Sequence, residues 1–243
     1  MRQPSLLHVA AAGMLSAAIG CGEPAEEATE RAAEAYAPVI DAARFVANVD
    51  NQYFPLVPGT RFVYETSDGG ERVEVRVTEE TKTIMGVTCT VVMSREFEDG
   101  ELVEETADWY AQDTDGNVWY FGEDTKEYED GQVVSTAGSW EAGVDDAQPG
   151  IIMPGSAAVG DTYRQEYLAG AAEDMGELVS LEESVTVPYG SFERVVKMRE
   201  WTPLEPGDEE FAYYAPGVGL VLEVEGDERL ELVSVRTQQR GVI

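Results

Sequence analysis

The chain has 243 residues, with 48 Asp and Glu against 16 Lys and Arg, for a formal net charge of −32. That charge repels nucleic acid and bare anionic lipid over a Debye length, so neither is expected as a partner. His8 is the single histidine, and a chain cut before Cys21 has none; this excludes Ser-His-Asp and Cys-His nucleophiles, HExxH zinc sites and an imidazole base, and leaves Ca²⁺ or Mg²⁺ on oxygen ligands as the metal chemistry open to it.

Residues 1–20 carry one charge, Arg2, and an apolar run from Leu6 to Ile19. That run is shorter than the ~20 residues a spanning helix needs, and it ends in small residues, as a signal peptide does. The ending Ala18-Ile19-Gly20-Cys21 resembles the lipidation site of bacterial lipoproteins, with Ala where Leu is preferred. The resemblance implies export, a lipid on Cys21 and membrane attachment through it. Gly22 rather than Asp after the Cys implies the outer membrane in a Gram-negative cell. Cys89 then has no intrachain partner, and its apolar setting, Val87 to Met93, reads as that of a buried structural thiol. Residues 21–52 form an acidic tether, Ala/Glu-rich from Glu23 to Tyr36, with Pro38 limiting any helix.

The remainder, 53–243, reads as one β domain built on an internal duplication. Glu79–Gly86 aligns with Glu183–Gly190, Val91–Glu96 with Val195–Glu200, and Trp109-Tyr110-Ala111 with Tyr213-Tyr214-Ala215, all in one register about 104 residues apart. Upstream, Pro58–Phe62 matches Val159–Tyr163. Repeat one is 53–124, an inter-repeat loop 125–154, repeat two 155–226, and a terminal strand lies within 227–243. Arg72–Thr78 alternates polar and apolar residues, and Asp99-Gly100 and Asp130-Gly131 mark hairpin turns between β-rich runs. The expected fold is all-β and antiparallel: two half-sheets, each with one apolar face, closing as a curved, barrel-like sheet or as a sandwich about a pseudo-twofold axis.

The string Tyr53–Tyr64, with its Pro55-Leu56, Gly59, Phe62 and Tyr64, resembles the opening "PL..G..W.Y" of a group of uncharacterised secreted bacterial lipoproteins, with Phe62 in place of Trp. Gly138–Gly143, Tyr163–Tyr167, Val185–Phe192 and Tyr213–Val221 are similar to other signatures of that group. The likeness implies a shared fold and export; it brings no catalytic residues.

Three regions differ between the repeats and are the candidate sites. Asp113, Asp115 and Asn117 have the spacing of the first ligands of a calcium loop, but the Gly comes early and no Glu closes it; the same residues make ordinary turns. In the matching turn of repeat two, Pro216–Gly219, the acids are absent. Trp140, Asp145, Asp146, Gln148 and Met153 in the long connection, with Glu173 and Asp174 in an insertion, are the candidate ligand-binding residues; Trp140 would be either an aromatic wall or a cap on the core. The leading functional reading is a lipid-anchored, non-catalytic β domain of the cell envelope that binds a small or apolar ligand, or an envelope partner, without a cofactor. The alternatives are an acidic calcium-dependent structural or adhesion module and a hydrolase working with two carboxylates.

Overall fold

A computed structural model describes residues 36–238; the signal sequence, Cys21 and the first part of the acidic tether, to residue 35, lie outside the described residues. Strands β1 (Val49–Asn51) and β2 (Phe54–Leu56) form a small hairpin of their own. Then follow β3 (Thr60–Thr66), β4 (Glu71–Ile84), β5 (Val87–Glu98), β6 (Glu101–Gln112), β7 (Val118–Glu129), β8 (Gln132–Ser135), β9 (Trp140–Glu141), β10 (Gln148–Met153), β11 (Thr162–Arg164), β12 (Glu166–Tyr167), β13 (Met175–Val187), β14 (Gly190–Trp201), β15 (Glu209–Ala215), β16 (Gly219–Glu225) and β17 (Glu228–Thr237). The turns obey local chemistry. Asp99-Gly100 joins β5 to β6 with φ of +49° and +86°, the doubly left-handed turn whose twist matches its flanking strands.

All ladders are antiparallel, and one sheet runs β11-β13-β14-β15-β16-β17-β3-β4-β5-β6-β7-β10-β12, with β8 and β9 also paired to β7. This order contains the same succession twice: β11, β13 to β17, then β3 to β7 and β10. Val91 on β5 and Val195 on β14 each stand on the third strand of their run, and both are buried. Both second strands, β4 and β13, break register near their middle, after Val77 in one and between Leu178 and Ser184 in the other. The two runs meet where β17 pairs with β3, from Leu230↔Thr66 to Thr237↔Thr60.

No ladder joins the first strand of the order to the last. The gap is spanned by the chain itself, since β11 and β12 are two parts of one stretch, divided at Gln165; the first pairs with β13 and the second with β10. Gly150 on β10 makes that approach feasible, because a Cβ there would lie 2.2 Å from the Gln165 carbonyl carbon. The sheet is therefore curved and barrel-like without being a closed barrel, the first of the two expected forms.

Segment 125–154, expected as a loop, carries the end of β7 and strands β8, β9 and β10. Its strands are short and interrupted by Gly and Pro, which hid their alternation. The last part of the expected tether is also folded: the Tyr36 hydroxyl donates to the Pro149 carbonyl at 3.0 Å, and its ring meets Tyr167 edge-on.

Candidate functional site

The interior between the two runs is acidic. Inward positions on β5, β6, β7, β14, β15 and β16 carry Glu96, Glu104, Asp108, Glu123, Glu200, Glu210 and Glu223, and Glu166 reaches in from β12. Ladder partners place them in related pairs. Glu96 faces Glu104 as Glu200 faces Glu210, and Glu123 faces Asp108 where Glu223 faces Ala212. Glu166, Glu200 and Glu123 are 0%, 1% and 2% exposed.

Four of these acids accept hydrogen bonds from neutral side chains. Asp108 accepts from the Tyr120 hydroxyl at 2.8 Å, Glu200 from the Gln165 amide at 2.6 Å, Glu104 from Thr106 and Glu123 from Thr125, both at 3.0 Å. Thr106 and Thr125 touch each other at 3.2 Å and link the last two. Burial, reinforced by the neighbouring carboxyls, therefore favours the protonated forms. It pushes Glu96 up to about 8, and Glu104 and Asp108 up to about 7. Glu123, Glu166, Glu200 and Glu210 are raised well above the carboxylate range for the same reason. Such carboxyls are weak acids that can donate a hydrogen bond at neutral pH.

At one end this interior opens into a cavity of about 70 Å³, walled by the rings of Phe54, Phe62, Tyr64, Tyr110 and Tyr214 and by aliphatic side chains, with Asp108, Glu223 and Ser94 as its polar lining. That volume holds a handful of waters or one short organic group. The Ser94 hydroxyl is buried and has no hydrogen-bond partner. The β1–β2 hairpin closes the mouth. Phe54 packs on Tyr110 at 5.2 Å and on Tyr214 at 6.2 Å, one ring from each run. Gln112 clasps the hairpin, accepting from the Asp50 and Asn51 amides and donating to the Asp50 carboxylate, while Gly217 donates to the Gln52 carbonyl.

The residues singled out from sequence fall elsewhere. Trp140 is core, 5% exposed and edge-on to Tyr120 at 5.4 Å, and its indole nitrogen is buried with no hydrogen-bond partner among the described residues. Met153 is buried in the same cluster. Asp145 and Asp146 form an exposed turn, and Gln148 donates to the Asp146 carbonyl. Glu173 accepts from the Gly170 amide, and Asp174 is pushed up to about 6 by burial, offset by a bond from Thr202. Asp174 adjoins the acidic interior, where its charge raises Glu166 and Glu200 further.

In the expected calcium loop, Asp113 accepts from the amides of Asp115 and Asn117, from the Asn117 side chain and from the Trp119 indole. Burial works upward on Asp113, yet these donors carry its pKa below the usual value. Asp115 pairs with Arg44. Among the described residues no group of three or more His, Cys, Asp or Glu is arranged to hold a metal ion.

The aromatic-walled cavity was not anticipated from sequence. Glu96 and Glu200 stood in the aligned block, and their recurrence at one register was the available signal.

No family model matches the chain, and no curated protein matches it. Two solved structures are similar. One is a candidate exported protein with a YmcC-like fold from Bacteroides fragilis, 18% identical, covering 77% of this chain and 100% of its own, with a TM-score of 0.44. The other is a candidate lipoprotein from Parabacteroides distasonis, 14% identical, covering 76% of this chain and 99% of its own, with a TM-score of 0.43.

Proposed function

We propose that this is an exported, lipid-anchored and non-catalytic binding protein of the cell envelope, which holds a small, largely apolar amine between its two halves. Export and anchoring rest on residues 1–21, with Cys21 as the acylated residue. The binding reading rests chiefly on one observation: five aromatic rings and two carboxyl groups converge on a cavity whose lining includes no cationic side chain. Ring faces attract an ammonium, and a desolvated carboxyl complements it once ionised. Asp108, held near neutrality, would give up its proton as the ligand's charge arrives. The ligand's apolar part would lie against Phe54, Leu56 and Ile152, under the hairpin.

The test is calorimetric titration of n-butylammonium, with n-butanol as the uncharged control, into the full-length protein at pH 5 and pH 8. The amine should bind saturably and more tightly at pH 8, and Asp108→Asn should abolish its advantage over the alcohol. Equal binding of the two probes in the native protein would remove the amine from the proposal, and no saturable binding of either would remove the cavity as a site. Native mass spectrometry of the protein taken from its own envelope addresses the carrier role: a mass equal to the bare lipidated chain counts against a stably held ligand.

A further inference from the structure

On the outer face of the sheet, where the two runs meet, lies a groove of about 480 Å³ across β17, β3, β4 and β5. In a chain with three acids to each base, this groove is basic. Arg236, Arg61 and Arg76 are direct ladder neighbours on three successive strands, Arg236↔Arg61 and Arg61↔Arg76. All three are exposed. Strands lie ~4.8 Å apart, so the row spans roughly 10 Å. Like charges opposite one another in a ladder are destabilising. Acids to neutralise them are abundant, yet among the described residues these three guanidinium groups make no ion pair or side-chain hydrogen bond.

The neighbouring bases behave otherwise. Arg72 bonds Glu65 and Glu74, and Arg95 bonds Glu105, which compensates the acids at the groove's border and leaves the central row unmatched. Val63, Met93 and Val233 supply an apolar floor between the guanidinium groups.

We propose that this groove is a binding site for a small, soluble, phosphate-bearing anion with at least two negative charges. A guanidinium presents paired N–H donors that fit phosphate oxygens in a fork, and a row of them binds an extended anion at several points. A membrane surface is the less suitable source of phosphate. The net charge of −32 would bring a wide acidic surface within a Debye length of an anionic bilayer, whereas a small anion inside the groove meets chiefly the arginines. The site lies on the outer face and is independent of the aromatic-walled cavity.

The probe is inorganic pyrophosphate, titrated calorimetrically into the full-length protein at low ionic strength, with sulfate as a simpler anion and vesicles with and without phosphatidylglycerol as the membrane arm. Pyrophosphate should bind one per chain and more tightly than sulfate. Arg61→Gln and Arg76→Gln should each weaken it by about tenfold, the size of a lost charge-assisted hydrogen bond. Arg229→Gln, an exposed arginine bonded to Glu231 on the same strand as Arg236, should leave binding unchanged. Circular dichroism confirms that each variant is folded. No pyrophosphate binding at millimolar concentration, equal weakening by Arg229→Gln, or binding only to phosphatidylglycerol vesicles would overturn the proposal.

Discussion

Replacing Asp108 by Asn isolates the energetic consequence of the acidic interior. An acid raised by folding keeps its proton at a pH where the unfolded chain has lost its own. The folded state then binds more protons, and stability falls as pH rises through that window. For Asp108 the window runs from the ordinary 3.8 to about 7. Stability from this group is fully present below the lower value and lost as pH passes the upper one, at about 1.4 kcal/mol per pH unit. Between pH 5 and pH 8 roughly two units of that window are crossed, so the native protein should lose about 3 kcal/mol through Asp108 alone. Asn keeps an acceptor for the Tyr120 hydroxyl and cannot ionise. Asp108→Asn should therefore lie within about 1 kcal/mol of the native protein at pH 5 and gain on it by about 3 kcal/mol by pH 8. Urea unfolding followed by tryptophan fluorescence at pH 5, 6.5 and 8 measures this difference. Glu123 faces Asp108 across the ladder, so the midpoint found belongs to the pair. A stability difference that stays constant over that range would mean that Asp108 is ionised in the folded protein, and the account of the interior would fall with it.

Other changes probe separate parts of the fold. Gly150→Ala puts a Cβ against the Gln165 backbone and should cost about 2–3 kcal/mol in urea unfolding, with hydrogen exchange quickening at β10 and β12 ahead of β4 and β5. Cys89 is fully buried and its thiol is pushed up to about 12 by that burial, so Ellman's reagent should label it only in denaturant. Calcium at 10 mM should leave the melting temperature unchanged, because Asp113 is occupied by four donors and Asp115 by Arg44; a site with Kd of about 1 mM would add about 1.4 kcal/mol. Ser94→Val removes a buried hydroxyl that has no partner and should raise stability by about 1 kcal/mol.

Strand pattern was legible because it is a local signal. Alternation in Arg72–Thr78 and the Asp-Gly turns fixed hairpins without reference to the rest of the chain, and the Val91–Val195 register carried over into equivalent strands. The seam could not be read in this way. It depends on Gln165 dividing one stretch between two ladders and on Gly150 allowing the approach, contacts between positions that no local pattern connects. Trp140 shows the same limit from the other side. A lone Trp in a segment poor in alternation looks like loop chemistry, but two residues of pairing with β7 at Gly122 and Glu123 place it in the core.

The acids illustrate why a difference between repeats was an incomplete guide to a site. Comparing the two copies directed attention to what only one of them has, the turn at Asp113 and the segment around Trp140, and those residues serve turns and core. The unusual chemistry is what the copies share. Glu96 with Glu104 and Glu200 with Glu210 occupy matching ladder positions in the two runs of strands, and the curvature of the sheet puts both sets of carboxyls into one interior. A single half-sheet would leave those positions open to water, with ordinary acidity. Closing the pair desolvates them, so the raised pKa values belong to the assembled interior, and an amine in the adjoining cavity would meet a carboxyl that neither half alone would have perturbed.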